Sequence, residues 1–158
     1  MVNVKTLFMA FLATTAIANP VGVLEERAGD AVTCKYKDEA GKQQSVTFST
    51  SSAKTLAKKA PAGTAQTASG YPHEYQNFDN MKWPNSQCNS AKVKTLEFPI
   101  FTAKNKQNTL YDYTKKKDNN KPGPCRMVYA QTGGAFCGIM CHESMVENDD
   151  SRGFKLCK

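Results

Sequence analysis

The sequence predicts an α+β domain: an N-terminal β-hairpin and one α-helix packed on a central antiparallel β-sheet with long loops, stapled by disulfides. Three observations predict this class. A single segment has helical periodicity. Several short apolar runs separated by polar loops follow it, a pattern typical of antiparallel strands. Six cysteines follow an apparent secretory leader, and an even count in that setting indicates disulfides.

The first 27 residues are expected to lie outside the fold. Residues 1–18 join a basic start to an apolar run that ends on the small-residue pattern AIA, which indicates a secretory signal peptide. Residues 19–27 lack apolar periodicity and end on Arg27, so we expect a short pro-segment. The sequence therefore predicts a secreted, extracellular protein with a single domain at residues 28–158.

The first half of this domain contains a predicted hairpin and the predicted helix. The run TCKYKDEAGKQQSVTFS holds two short segments around a turn at Gly41, which predicts a β-hairpin. In STSSAKTLAKKA, Ser49 or Thr50 is the candidate N-cap of a helix of about ten residues, and Pro61 ends it. Its narrow apolar face consists of Ala53, Leu56, Ala57 and Ala60.

The second half predicts the strands of the central sheet. In KTLEFPIF, apolar residues alternate with Glu97, which predicts a strand with that carboxylate opposite the apolar face. The runs CRMVYA and AFCGIMCH flank QTGG and predict a hairpin, and GFKLCK closes the chain. The longest loop precedes CRMVYA and is rich in lysine: Lys104, Lys106, Lys115, Lys116, Lys117 and Lys121.

The register of the second hairpin predicts a disulfide. Pairing centred on Gly133 places position 125 opposite 141 and position 126 opposite 140. Arg126 and His142 then share one face, while Cys125 and Cys141 share the other, near enough for a Cys125–Cys141 bridge on the core side. Zinc is the competing interpretation of the cysteines. The chain has no second close cysteine pair, so disulfides are favoured and no metal or cofactor is expected.

The polar residues of the sheet suit RNA cleavage. Taken alone, Glu97 would be interpreted as a solvated carboxylate, but the antiparallel arrangement can bring it to one face with Arg126 and His142. RNA supplies its own nucleophile, the 2′-OH, so a base, an acid and cations that hold the phosphate suffice. We expect the neighbouring cationic groups to keep Glu97 ionised and the histidines protonated at neutral pH.

Five motifs in order resemble the microbial guanyl-specific ribonuclease superfamily and, within it, the fungal ribotoxins: GYPHEY, TLEFPIF, PGPCRMVY, FCGIMCH and FKLC. The resemblance spans essentially all of residues 28–158. It implies a general base at Glu97, a general acid at His142 and a phosphate clamp at Arg126. It further implies an electrostatic partner at His73, a phosphate-binding hydroxyl at Tyr71 and an aromatic packed on the reacting phosphate at Phe154.

The same resemblance extends to the base-binding segment and to the remaining disulfides. The run EYQNFD resembles the guanine-binding segment of the superfamily, which implies that Tyr75 stacks on the base and that Asp79 accepts from guanine. Asn77 is a looser match there. The resemblance also implies the disulfides Cys34–Cys157 and Cys88–Cys137.

Three function classes follow. The first is a secreted ribotoxin, an endoribonuclease that cuts one bond in the sarcin–ricin loop of large-subunit rRNA and stops translation. The alternatives are a secreted guanyl-preferring ribonuclease without ribosome specificity and a non-catalytic RNA-binding effector. The net charge of +7 favours polyanionic partners, namely RNA, the ribosome and acidic phospholipid membranes. Lys115, Lys116 and Lys117 are expected to contact rRNA phosphates, and the protein is expected to be a monomer.

Overall fold

The computed structural model describes residues 30–63 and 67–158. The predicted signal peptide (1–18) and pro-segment (19–27) lie outside the described residues. Among the described residues, no helix has both the length and the apolar character needed to cross a membrane.

The N-terminal hairpin is present as predicted. Strand β1 (Ala31–Lys37) pairs antiparallel with β2 (Gln43–Ser49). Gly41 adopts a φ of 76° in the connecting turn, a conformation that glycine reaches without steric cost. The Asp38 carboxylate closes this turn, because its Oδ1 accepts from the backbone N–H groups of Ala40 at 3.0 Å and Lys42 at 2.9 Å.

The predicted helix is α1 (Thr50–Lys59). Ser49 is its N-cap, and its side chain accepts from the backbone N–H of Ser52 at 3.3 Å. The helix ends at Lys59 with Ala60 as its C-cap, directly before Pro61, which cannot continue it. The apolar face predicted from the sequence is buried at Ala53, Leu56 and Ala57 and half-buried at Ala60.

The central sheet has five antiparallel strands in the order β3-β4-β5-β6-β7, which confirms the predicted α+β class. The strands are β3 (His73–Glu74), β4 (Thr95–Pro99), β5 (Cys125–Ala130), β6 (Phe136–His142) and β7 (Phe154–Leu156). Strand β3 was not predicted, since a two-residue strand carries no periodic pattern.

The two faces of the sheet have different neighbours. One face presents Leu96, Phe98, Met127 and Ile139 to helix α1, and together they form the main core. On the other face a smaller cluster gathers around Trp83 with Val128 and Met140. The rest of that second face carries the polar residues singled out above.

Three disulfides tie these elements together, in the pairs that were predicted: Cys34–Cys157, Cys88–Cys137 and Cys125–Cys141. Cys125 lies directly opposite Cys141, as pairing centred on Gly133 requires. That pairing is wrong nearer the turn. The register shifts between Val128 and Tyr129, so Tyr129 lies opposite Phe136, because a β-bulge takes up one residue there.

The lysine-rich loop is anchored by a buried tyrosine. Tyr111 is 1% exposed, and its hydroxyl donates to the carbonyl of Asn120 at 2.6 Å. The Asn120 side chain in turn donates to the carbonyl of Asp112 at 2.9 Å. These bonds fix the position of the 3₁₀ turn Lys117–Asn119, which lies between Asp112 and Asn120 in the chain.

Candidate active site

One face of the sheet collects the predicted catalytic side chains from all of its strands. His73 on β3 lies opposite Glu97 on β4, and His142 on β6 lies opposite Phe154 on β7. Arg126 on β5 is diagonal to both Glu97 and His142, so it joins the two pairs. Tyr71 packs beside His73 with its ring centroid 4.8 Å away.

Glu97 is buried, with 6% of its surface exposed. Its Oε1 lies 3.1 Å from Nδ1 of His73. Its Oε2 is buried and has no hydrogen-bond partner among the described residues. The outward face of the strand is therefore covered at this position, in contrast to the solvated carboxylate that the strand pattern alone would suggest.

Burial sets the protonation of this pair. Desolvation raises the pKa of Glu97 to about 7, and the charges of Arg126 and Lys117 only partly oppose it. Desolvation likewise lowers the pKa of His73, a hydrogen bond with the backbone of Glu74 opposes this, and Lys117 and Arg126 lower it further. The pKa shifts are therefore opposite in direction to the expectation of an ionised Glu97 beside protonated histidines, because the loss of hydration outweighs the neighbouring charges.

Arg126 is held by backbone carbonyl groups. Its Nη1 donates to the carbonyls of Gly123 at 2.7 Å and Cys125 at 2.9 Å. Its Nε is buried without a hydrogen-bond partner in the part of the chain that the structure describes. The guanidinium is thus fixed by backbone carbonyls at and just before the start of β5, and its Nε is a donor left without a partner among the described residues.

His142 is held in one tautomer by the segment before β7. Its Nδ1 lies 2.7 Å from the carbonyl of Arg152, and since a carbonyl can only accept, Nδ1 carries a proton. Its ring stacks on Phe154 with centroids 3.9 Å apart. Burial lowers the pKa of His142, the bond to Arg152 opposes this, and the charges of Arg126 and Arg152 lower it further.

Tyr71 lies between two cationic groups. The Arg126 guanidinium is 5.2 Å from the centroid of its ring, and Nζ of Lys117 is 4.5 Å from it. Burial raises the pKa of the Tyr71 hydroxyl, so that this group remains a hydrogen-bond donor at neutral pH.

The predicted base-binding loop follows β3. Tyr75 donates to Oδ2 of Asp79 at 2.8 Å, and its ring meets Phe154 edge-on at 6.1 Å. Asn77 has a φ of 52°, and both atoms of its side-chain amide bond the backbone of Met81, at 2.8 Å and 2.9 Å. The Asn77 side chain therefore shapes the loop, and the Asn77 carbonyl is also engaged, since it accepts from the backbone N–H of Asn80 at 3.0 Å.

The three lysines predicted to bind RNA lie in different surroundings. Lys115 pairs with Asp112 at 3.1 Å, Lys116 is exposed, and Lys117 lies against the Tyr71 ring. Of these three, Lys117 is the one that contacts a residue of the catalytic face.

A cluster of sulfur atoms lies on the other face. Sγ atoms of Cys34, Cys141 and Cys157 lie within 4.8 Å of one another. All three belong to disulfides, so they offer no thiolate to a metal ion.

Two features of the site were missed by sequence reasoning. The carbonyl of Arg152, which orients His142, belongs to a loop without a motif. The approach of Lys117 to Tyr71 depends on the buried Tyr111 and its bond to Asn120. An aromatic residue inside a lysine-rich loop was the available signal for that anchor.

Residues 36–158 match the ribonuclease family, and the chain belongs to that family. It is similar to the ribonuclease clavin from Aspergillus clavatus, with 30% identity over 185 aligned positions covering 99% of each chain. It shares its fold with the Aspergillus ribotoxin restrictocin (TM-score 0.65, 25% identity, 81% of this chain and 99% of that one). Hirsutellin A from Hirsutella thompsonii is also similar (TM-score 0.58, 30% identity, 82% and 99%).

These comparisons confirm the resemblance to fungal ribotoxins that the five sequence motifs indicated. The protein is a ribotoxin-like ribonuclease with the α+β fold of that group.

Proposed function

We propose that the chain cleaves RNA internally by attack of a ribose 2′-OH on the adjacent phosphate, which leaves a 2′,3′-cyclic phosphate. Two buried atoms on one face support this most directly. Glu97 Oε2 is an acceptor and Arg126 Nε a donor, each without a partner among the described residues. Buried polar groups are normally paired, so a ligand that brings a hydroxyl and an anion suits both.

Glu97 is the proposed general base. It takes the proton of the 2′-OH while the O2′–P bond forms. A pKa of about 7 suits a base that works at neutral pH, since the carboxylate is then both available and basic enough. His73, 3.1 Å away on the other carboxylate oxygen, holds the carboxyl in place and supports its charge.

His142 is the proposed general acid. Because Nδ1 is engaged by the Arg152 carbonyl, Nε2 is the nitrogen that gives its proton to O5′ as the P–O5′ bond breaks. The bound phosphate favours the protonated imidazole and offsets the effect of burial on its pKa. Arg126 and the Tyr71 hydroxyl donate to the phosphate oxygens, and Phe154 packs beside them. The nucleophile is part of the substrate, so the reaction as proposed is metal-independent.

The base 5′ to the cleaved bond is proposed to be guanine. Tyr75 would stack on it, and the Asp79 carboxylate, already oriented by the Tyr75 hydroxyl at 2.8 Å, would accept from its N1 and N2 donors. Backbone groups of the loop around Asn77 would meet the same edge.

The proposed target is the sarcin–ricin loop of large-subunit rRNA, whose cleavage stops translation. Restrictocin, which has this fold, has been solved with a 29-mer sarcin/ricin domain RNA analogue (TM-score 0.61, 22% identity). A net charge of +7 and the lysines of the long loop supply the electrostatic attraction that docking on structured RNA needs. We further propose that the protein is secreted, acts as a monomer and binds acidic phospholipid surfaces.

Two uncharged polar replacements test the chemistry. Glu97→Gln and His142→Gln should each lower cleavage of the dinucleotide GpA by at least about 100-fold, since each removes a proton-transfer group. The matched control is Glu74→Gln, which makes the same change at an exposed position of β3, the strand next to β4, and should retain activity. Wild-type protein that releases no cyclic phosphate would favour the non-catalytic RNA-binding effector instead, and variants that act like the control would overturn the assignment of Glu97 and His142 as the base and the acid.

A further inference from the structure

Lys117 differs from the other lysines of its loop in what it contacts. Its Nζ lies 4.5 Å from the centroid of the Tyr71 ring, which itself stacks on His73. Lys115, two residues earlier, is instead engaged by Asp112 at 3.1 Å. The ammonium group of Lys117 therefore lies against a ring of the catalytic face, while that of Lys115 is paired within its own loop.

The position of Lys117 is built into the fold. Lys117 begins a 3₁₀ turn that ends at Asn119. The adjoining Asn120 is bonded through its carbonyl to the buried Tyr111 hydroxyl at 2.6 Å. Tyr111 in turn packs edge-on against Tyr71 with ring centroids 5.8 Å apart. The buried Tyr111 thus links the turn that carries Lys117 to the Tyr71 ring, against which the Lys117 ammonium group lies.

The charge of Lys117 also reaches the titrating groups of the site. It lowers the pKa of Glu97 and the pKa of His73, and Arg126 acts on both in the same direction. Lys117 and Arg126 therefore both act on Glu97 and His73. Their mobility differs, because Arg126 is buried and tied to carbonyl groups while Lys117 is an exposed ammonium on a flexible stem.

We infer that Lys117 is a second phosphate-binding cation of the active site, acting with Arg126 on the phosphate that is cleaved; the inference rests on the proposed function. As O2′ attacks, negative charge builds on the non-bridging phosphate oxygens. Arg126 supplies fixed donors at one side of the phosphate. Lys117 supplies a mobile point charge that follows the oxygens as the P–O5′ bond lengthens, and hence stabilises the transition state more than the bound substrate.

The test compares Lys117→Gln with Lys58→Gln, which removes the same charge from an exposed position on α1. The substrate is GpA, which has a single phosphate and offers nothing to lysines that only dock on long RNA. We expect Lys117→Gln to lower kcat by roughly 100-fold with a smaller change in KM, the expectation for a group that acts in the transition state. Lys58→Gln should retain both values, and Lys117→Arg should recover part of kcat.

A pH profile gives a second readout, which reports how strongly the charge of Lys117 acts on Glu97. In the free protein the pKa of Glu97 lies above that of His142, so Glu97 governs the basic limb of kcat/KM. Loss of Lys117 should move this limb to higher pH. The same variants are compared on intact ribosomes at saturation, where Lys117→Gln should still be slow.

Each outcome has a distinct meaning. If Lys117→Gln matches Lys58→Gln in kcat on GpA and at ribosome saturation, Lys117 is not an active-site cation and the inference fails while the proposed function stands. If the wild-type protein forms no cyclic phosphate on either substrate, the proposed function fails first.

Discussion

Glu97 meets two physical demands that oppose each other. A general base at neutral pH needs a pKa near 7, and burial between His73 and Arg126 provides it. The same burial makes the ionised form costly in the folded protein. The carboxylate is therefore suited to catalysis and unfavourable for stability, as is common for groups at active sites.

Glu97→Gln should stabilise the protein at alkaline pH. The pKa of Glu97 is about 7 in the folded state against an ordinary value of 4.5, so folding favours the protonated carboxyl. That preference is complete below pH 4.5 and is lost as the pH rises through about 7. Urea unfolding at pH 8.5 should show Glu97→Gln to be more stable by up to about 3 kcal/mol. At pH 4 the two proteins should be alike, and an equal gain at both pH values would refute the pKa assignment.

The kcat/KM profile on GpA should form a plateau with two limbs. Activity requires Glu97 without its proton and His142 with one. Since burial raises the pKa of the first to about 7 and lowers that of the second, only a minority of free molecules have this combination. Activity should fall below the lowered pKa of His142 and fall again above about 7. Stopped-time assays from pH 4 to 9 check this, and a rate that still rises at pH 9 would contradict it.

At the scale of elements, the pairing of β5 with β6 places the two central groups of the site. Arg126 and His142 each follow a cysteine of the Cys125–Cys141 bridge, which lies on the opposite face at the same level of the sheet. The bridge therefore fixes the two strands directly beneath the catalytic face. Both cysteines are buried in the main core, with 0% and 1% of their surface exposed.

Replacing both Cys125 and Cys141 by Ala should lower stability and activity together. A bridge across 16 positions is worth roughly 3 kcal/mol. We expect kcat on GpA to fall more than the affinity for substrate, because the distance between the phosphate clamp and the acid is no longer fixed. The comparison is Cys88→Ala with Cys137→Ala, which removes a bridge at the other end of β6. Similar losses of kcat in both double variants at matched stability would contradict a positioning role.

Elements with a repeating pattern could be predicted from the sequence, and those held by single contacts could not. Alternation in β4 and the symmetric turn between β5 and β6 were enough to predict the Cys125–Cys141 register. The two residues of β3 are too few to show a period, yet they bring His73 opposite Glu97. The direction of the pKa shifts was also missed, because it depends on how deeply Glu97 is covered, which neighbouring charges in the sequence do not reveal.

At the scale of the whole molecule, the two faces of the central sheet have different roles. The main core lies between α1 and one face of the sheet, and the catalytic groups occupy the other face. The lysine-rich loop borders this second face through the turn at Lys117. An RNA drawn to the basic loop is thereby brought to the catalytic side of the sheet.

Removing Lys115 and Lys116 together should weaken ribosome cleavage mainly at low salt. Each phosphate contact that is lost reduces the slope of log affinity against log salt by about 1. The half-saturating ribosome concentration should rise and its salt dependence should flatten in Lys115→Gln with Lys116→Gln. Lys58→Gln with Lys59→Gln removes the same charge from α1 and is the control. If both double variants lose affinity equally, net charge and not the loop guides docking.

The most direct test of the proposed function is the pattern of rRNA fragments from intact ribosomes. Purified ribosomes are incubated with the protein, and the large-subunit rRNA is separated by denaturing electrophoresis. Cleavage at the sarcin–ricin loop predicts one discrete 3′ fragment, and Glu97→Gln should produce none. A smear of products would show a ribonuclease without ribosome specificity and would contradict the proposed target.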